Sequence, residues 1–186
     1  NQIAGIDCAQ GRALYIDGEN GERLIARRYR AAAGPRKNVA IYEAESIDLA
    51  TEAGATWLRE TIRQEEAQLV VLDSLRSLAP QLEENNGDTV APVMRAVRLA
   101  ARQTGAAIVL LHHRPKNSGA AYRGSSVLRD QTDMLFVLGR DEKDPEARTR
   151  RSLHADGARG GKMRIDAEPA ERWLHLRAQG EHVTID

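Results

Sequence analysis

The chain is poor in cysteine and aromatic residues and has no long apolar run. Cys8 is its single cysteine, which excludes an internal disulfide and favours a reducing, cytoplasmic location. No apolar run approaches the length of a membrane helix and the N-terminus lacks a signal-peptide pattern, so no membrane partner is expected. Basic and acidic residues balance at 27 each. Net charge therefore argues neither for nor against nucleic-acid binding, which only local clusters of charge can indicate.

The sequence also lacks a phosphate-binding loop. Residues 157–163 approach the pattern G-x-x-x-x-G-K-[ST], but Asp156 stands where its first glycine is required and Met163 replaces the hydroxyl residue. This segment lies between two predicted strands, whereas a phosphate loop joins a strand to a helix. Residues 34–38 fail the pattern as well. Neither segment is expected to hold phosphate.

Short apolar runs alternate with segments of helical spacing. The runs are residues 13–16, 39–42, 69–72, 107–111 and 134–138. They are continuous, which is typical of strands buried on both faces of a parallel sheet. The apolar residues between Val90 and Val97 follow helical spacing, and Gly105 marks the end of that helix. The alternation predicts an α/β fold with a mostly parallel, doubly wound sheet.

The pattern changes after Gly139. Residues 140–151 are charged and contain helix and strand breakers, which predicts a loop. Three later segments show the polar and apolar alternation of antiparallel strands: 162–166, 172–177 and 182–185. We therefore expect a core over residues 1–140 and an antiparallel appendage over residues 141–186, packed on the same domain.

Two carboxylates follow apolar runs at predicted strand ends. Asp73 precedes Ser74 and can hold Mg²⁺, directly or through water, beside nucleotide phosphates. Glu19 lies two residues after Asp17 and can orient and deprotonate a water that attacks a phosphate. Acidic residues at such points also cap helices. A second carboxylate favours phosphoryl transfer, which needs separate groups for metal and water, and Glu19 is preferred over Asp17 as the catalytic one.

Polar residues also follow the run at 107–111. His112 and His113 point to opposite faces if the strand continues, so only one of them can face the site and contact a γ-phosphate. Arg114, Lys116 and Arg123 lie in the Gly/Ser/Asn-rich loop that follows, and its positive charge suits DNA phosphates or a neighbouring subunit's nucleotide. A solvated surface loop is the alternative interpretation.

Lys162 and Arg164 are two apart on a predicted strand, so both project from one face. Two cations held by a strand resemble an arginine-finger arrangement that reaches across a subunit interface. A plain surface hairpin is equally compatible with this spacing.

These motifs, in this order, resemble the RecA/DnaB superfamily of ATPase cores, and within it the RepA-type hexameric replicative helicases. The likeness spans about residues 10–140. Its most specific parts are D-S-L-R (73–76), E-E-N (83–85), L-H-H-x-x-K (111–116) and R-G-S-S-V-L (123–128). The resemblance implies a RecA-like P-loop NTPase fold that uses ATP and Mg²⁺.

The resemblance also implies residue roles. Glu19 would be the catalytic carboxylate, Asp73 the Walker B aspartate that holds Mg²⁺, and His113 the γ-phosphate sensor. Arg123 would be the arginine finger that reaches the nucleotide of a neighbouring subunit. The Lys-x-Arg pair that begins at Lys162 is the alternative candidate for this role.

Further implied features concern partners. Arg164 completes the Lys-x-Arg pair of DnaB relatives, which would contact nucleotide across a subunit interface. The loop with Arg114, Lys116 and Tyr122 would face single-stranded DNA inside a hexameric ring. A primase is a further partner to consider.

One departure from the family is large. Its members begin with a strand, a Walker A loop and a helix, and that unit is expected directly before Asn1. We therefore expect a C-terminal part of a longer ring-forming DNA helicase that binds ATP poorly by itself. The alternatives are an assembly or DNA-binding module without a P-loop, and a RecA- or KaiC-like recombination or regulatory ATPase.

Overall fold

The computed structural model describes residues 2–3, 6–7, 9–33, 38–113, 126–139, 149–155, 162–163, 172–179 and 182–185. Its helices are α1 (Glu22–Ala33), α2 (Glu52–Gln64), α3 (Gly87–Thr104) and α4 (Ser126–Gln131). Its strands are β1 (Gln2–Ile3), β2 (Ile6–Asp7), β3 (Ala13–Asp17), β4 (Val39–Glu43), β5 (Leu69–Asp73), β6 (Ala107–Leu110), β7 (Met134–Leu135), β8 (Val137–Gly139), β9 (Arg150–His154), β10 (Lys162–Met163), β11 (Arg172–Gln179) and β12 (His182–Ile185).

The centre of the fold is a four-stranded parallel sheet in the order β4-β3-β5-β6. Its strands coincide with the first four apolar runs, so the predicted α/β fold is confirmed. Parallel strands bring their carboxyl ends to one edge of a sheet. Asp17 is the register partner of both Glu43 and Asp73 at that edge, which we call the carboxyl edge.

One face of this sheet packs against the hydrophobic core and the other is partly open. Leu14 and Leu72 have no exposed surface and pack in the same core cluster as the apolar residues of α2 and α3. Side chains at the alternate positions point to the opposite face. There Ile41, Leu69 and Val109 are 38%, 41% and 44% exposed. The hydrophobic core therefore lies between the sheet and the α2–α3 pair.

Helices α2 and α3 begin and end at the expected kinds of residue. The Thr51 hydroxyl accepts a hydrogen bond from the Gly54 amide at the start of α2, and the Asn86 side chain accepts one from the Asp88 amide at the start of α3. Helix α3 ends at Gly105, whose φ of 76° is left-handed, as predicted from the sequence. These caps fix where both helices enter and leave the core.

The prediction of a fifth parallel strand over residues 134–138 is wrong. The run divides at Phe136 into β7, which pairs antiparallel with β10, and β8, which pairs antiparallel with β9. A continuous apolar run does not specify strand direction, and here C-terminal strands supply the partners. The predicted loop also ends earlier than expected, because β9 begins at Arg150; residues 140–148 lie outside the described part.

The C-terminal strands are antiparallel, as predicted. Strands β12, β11, β9 and β8 form a second sheet in that order. Of the predicted strand over 162–166, the described part contains β10 alone. No helix within the described ranges is long and apolar enough to cross a membrane.

Candidate functional site

The backbone holds the ends of β3 and β5 together at the carboxyl edge. The Gly18 amide donates to the Asp73 carbonyl at 2.7 Å, and the Ala44 amide donates to the Asp17 carbonyl at 2.8 Å. These bonds continue the sheet ladder one residue beyond the strands. The loops that follow β3 and β5 therefore leave the sheet side by side, which brings their polar side chains together.

Asp17 is used to build the loop after β3. Asp17 is only 2% exposed. Its carboxylate oxygens accept hydrogen bonds from the backbone amides of Asn20 at 3.0 Å and Gly21 at 2.8 Å. The Asn20 side-chain nitrogen donates to Asp17 at 2.9 Å, and Gly21 takes a φ of 73° that favours glycine. We call residues 17–21 the Asp17 turn. It leaves Glu19 at its outer end.

Glu19 contacts residues from two other strand ends. Its Oε2 accepts from the Ser74 hydroxyl at 3.1 Å and lies 3.1 Å from Nε2 of His113. The hydrogen bond with His113, and then that with Ser74, holds the pKa of Glu19 below its ordinary value of 4.5. Its side chain is 45% exposed. Glu19 is thus an ionised carboxylate that is oriented by two neighbours and accessible to water.

Asp73 is buried and has unequal oxygens. Tyr15 donates its hydroxyl to Oδ2, and the Asn20 side-chain nitrogen approaches the same oxygen at 3.4 Å. Burial, and then the hydrogen bond with Asp73, raises the pKa of the Tyr15 hydroxyl, which stays protonated. No described residue donates to Oδ1 of Asp73. One carboxylate oxygen is therefore engaged and one is available to a ligand.

The two histidines have separate surroundings, as strand geometry predicts. His113 is 73% exposed at its side chain and meets Glu19. Nε2 of His112 is buried and has no hydrogen-bond partner. His113 is thus the histidine on the side of the candidate site, and its part in sensing phosphate stays a prediction.

Other predicted site residues are not brought to the carboxyl edge, or are not described. The side-chain nitrogen of Lys162 donates a hydrogen bond to the carbonyl of Arg129, in the last turn of α4. The remaining members of the predicted set lie outside the described residues: Arg114, Lys116, Tyr122, Arg123 and Arg164. Their roles in DNA binding and across a subunit interface stay predictions.

Sequence reasoning missed three residues of this site. Tyr15 and Asn20 contact Asp73, and the Arg28 guanidinium donates to Oδ1 of Asn20 at 2.9 Å. A signal for Tyr15 exists, because it lies two residues before Asp17 and so shares its face of the strand. Nothing in the local sequence indicates the contacts of Asn20 and Arg28, which depend on how α1 turns back over the loop.

The donor set suits Mg²⁺ that is held together with a substrate. Mg²⁺ commonly binds one or two carboxylates and completes its shell with water and phosphate oxygens. Asp73 offers one such oxygen, in a buried position. The described residues contain no group of three or more His, Cys, Asp or Glu side chains that could hold a metal ion alone. The site therefore fits a metal that arrives with phosphates.

The sequence matches a family model and is similar to a known protein. A family model described as an AAA domain matches residues 1–119. The chain is also similar to the DNA repair protein RadA of Pseudomonas aeruginosa, with 28% identity over 145 residues. That match covers 76% of this chain and 29% of RadA. The chain thus spans less than a third of the length of this relative.

Proposed function

The chain belongs to the AAA domain family, whose members are RecA-like ATPases that use ATP and Mg²⁺, and from this premise we propose that it is the water-activating and metal-binding part of a DNA-dependent ATPase. The observation that carries the proposal is the position of Glu19. It is ionised and exposed, and it is oriented by Ser74 and His113 beside the buried Asp73.

Glu19 acts on the attacking water. Its low pKa makes it a weak base, so its main contribution is to accept a hydrogen bond from the water and aim the oxygen lone pair at the γ-phosphate. Ser74 and His113 limit the positions that its carboxylate can take. His113 is also the residue that a γ-phosphate would approach from the end of β6, so phosphate binding and Glu19 orientation are linked through one side chain.

Asp73 acts on the phosphate side. Mg²⁺ supplies neutralisation of the charge on the β- and γ-phosphate oxygens when it is bound. Asp73 would hold this cation, directly or through water, with the oxygen that Tyr15 leaves free. Burial of Asp73 excludes water from its far side and strengthens that attraction.

The finer proposal is a RepA-like, ring-forming replicative helicase. The order of the motifs from Asp73 to Leu128 supports it, together with the basic loop that contains Arg114, Lys116 and Tyr122. In this proposal the loop contacts single-stranded DNA. Arg123, or else the Lys162 and Arg164 pair, completes the site of the next subunit. In this proposal ring assembly brings a cation of one subunit to the γ-phosphate bound by the next, where it adds to the charge neutralisation that Mg²⁺ supplies.

A second candidate is a RadA-like recombination or repair ATPase. The similarity to the DNA repair protein RadA over 145 residues favours it. Both candidates need the same hydrolysis chemistry and DNA contact. They differ in whether ATP turnover separates the strands of a forked duplex.

The test measures ATP hydrolysis with and without single-stranded DNA. Two proteins are compared: the 186-residue chain, and the product of the full open reading frame that contains it. We expect DNA-stimulated, Mg²⁺-dependent turnover that Glu19→Gln abolishes. Glu60→Gln is the matched control, since Glu60 lies on α2, away from the carboxyl edge, and its side chain is 62% exposed.

Four outcomes are informative. Absence of turnover in both proteins contradicts the ATPase proposal, and equal loss in the two glutamate variants contradicts the role of Glu19. With turnover established, unwinding of a fork favours the helicase. Strand exchange or branch movement without fork unwinding favours the RadA-like ATPase.

A further inference from the structure

We infer that Tyr15 and Asn20 are positioning residues that hold Asp73 by one carboxylate oxygen and so aim the other at a divalent cation. This inference deepens the proposed function and depends on it for its biological meaning. Its observational basis is the asymmetry of Asp73, in which Oδ2 is approached by both side chains and Oδ1 by no described residue.

Tyr15 reaches Asp73 because of strand register. It pairs with Val71 across β3 and β5, two positions before the Asp17–Asp73 pair. Side chains two apart on adjacent strands share one face of the sheet, and the ring of tyrosine is long enough to span that distance. A phenol has a single proton to donate, and here Asp73 receives it. The ring is rigid and half-buried, so this donor has few alternative positions.

Asn20 connects Asp73 with the Asp17 turn. Arg28 donates to Oδ1 of Asn20 at 2.9 Å, so the amide nitrogen has to face the opposite way. That nitrogen carries two protons and lies 2.9 Å from Asp17 and 3.4 Å from Asp73. The second contact is long and therefore the weaker of the two. Tyr15 is accordingly the principal donor to Asp73. Asn20 contacts both Asp73 and Asp17, so it links the orientation of the Asp73 carboxylate to the Asp17 turn, which carries Glu19.

Positioning matters for this cation in particular. Mg²⁺ requires near-ideal octahedral geometry, so a carboxylate that rotates freely binds it less well than one whose second oxygen is fixed. Partners of metal ligands typically change metal affinity about 10- to 100-fold when they are removed. Loss of the Tyr15 hydroxyl should fall at the lower end of that range, because Asn20 remains.

The test uses Mn²⁺ together with inorganic triphosphate as the probe, because the site fits a metal that arrives with phosphates, and it needs no nucleotide. Mn²⁺ broadens nuclear magnetic resonance signals near its binding site, so titration of the 186-residue chain gives an affinity for each backbone amide. We expect broadening centred on Asp73 and its neighbour Gly18, and its loss in Asp73→Asn. Tyr15→Phe should weaken the Mn²⁺ affinity about tenfold, and Asn20→Ala should weaken it less.

Tyr42→Phe is the matched control. Tyr42 lies on the neighbouring strand β4 and donates its hydroxyl to a different carboxylate, Oε1 of Glu65, at 2.7 Å. Removing it deletes the same kind of hydrogen bond away from Asp73, so the Mn²⁺ affinity should stay at the wild-type value. The amide spectrum reports in the same experiment whether each variant keeps the wild-type fold.

The inference is overturned by either of two results. One is a wild-type titration without broadening at Asp73, and the other is equal Mn²⁺ affinity in wild type and Tyr15→Phe. If Tyr15→Phe alters the amide spectrum widely, Asn20→Ala decides, because it keeps the backbone amide that Asp17 holds. The ATP hydrolysis assay is separate, so absent turnover with a Tyr15-dependent Mn²⁺ site contradicts the proposed function and leaves this inference standing.

Discussion

Glu19 and His113 are 94 residues apart in sequence, yet Oε2 of Glu19 lies 3.1 Å from Nε2 of His113. One residue belongs to the Asp17 turn and the other follows β6, with β5 between their strands. The contact joins the carboxylate proposed to orient water to the residue expected to sense phosphate. It is therefore the most direct point at which to test how the site operates.

We predict that His113→Ala raises the pKa of Glu19 toward 4.5, because the hydrogen bond to His113 is the largest cause of its lowering. Carbon-13 chemical shifts of the Glu19 carboxyl, followed against pH, measure this directly. Because the pKa of Glu19 is lower in the folded than in the unfolded protein, its ionised side chain stabilises the fold at pH values above the unfolded-state pKa. This stabilisation is lost as the pH falls through the folded-state pKa. His112→Ala is the control, and an equal shift in both variants would contradict the prediction.

We predict that the two acidic residues of the Asp17 turn contribute unequally to the stability of the fold. Asp17→Ala removes the acceptor of several part-buried hydrogen bonds and should lower the free energy of unfolding by about 1–3 kcal/mol. Glu19→Gln changes an exposed side chain and should stay within about 0.5 kcal/mol of wild type. Urea unfolding of both variants measures the difference. A larger loss in Glu19→Gln would mean that Glu19, and not Asp17, supports the turn.

We predict that Gly54→Ala destabilises the protein, although alanine is the better helix former by about 1 kcal/mol. A Cβ at Gly54 would lie 2.0 Å from the carbonyl oxygen of Asp48, and that backbone is fixed by the Thr51 cap. Thermal unfolding should show a lower melting temperature. The control is Ala53→Gly, at an exposed position of the same helix turn, which should lower the free energy of unfolding by about 1 kcal/mol through helix propensity alone. A Gly54→Ala variant that is more stable than wild type would contradict the prediction and show that the Asp48 segment can move.

We predict unequal effects of the same substitution on the two faces of β5. Leu72→Ala empties a fully buried position and should cost about 2–5 kcal/mol. Leu69→Ala changes a side chain that is 41% exposed and should cost about 1 kcal/mol. Chemical denaturation gives both values. Equal losses would indicate that the open face of the sheet is covered in solution.

The sequence was sufficient for the parts of the fold that follow local periodicity. The four parallel strands, the end of α3 at Gly105 and the antiparallel pair of β11 and β12 all follow from residue spacing. The strand at 134–138 did not, because an apolar run carries no information about which strands will pair with it. Strand direction there is decided by residues after Gly139.

The candidate site shows the same division. The positions of Glu19 and Asp73 at one edge follow from parallel strands that each end in a polar residue. The difference between Asp17 and Glu19 follows from the way an aspartate at a strand end accepts amides of the next turn. The contacts of Asn20 with Asp73 and Arg28 depend on tertiary packing of α1, which no local pattern contains.

The Asp17 turn closes within five residues, and this has a consequence for how the molecule folds. Closing a short loop costs little chain entropy and takes nanoseconds, whereas a contact across 94 residues must wait until β5 and β6 have joined the sheet. The turn can therefore form before the strands that surround it, and the contact of Glu19 with His113 forms among the last. A nascent or partly unfolded chain would present a formed turn whose Glu19 carboxylate lacks its contact with His113. The arrangement proposed for hydrolysis should therefore appear only when β6 has joined the parallel sheet.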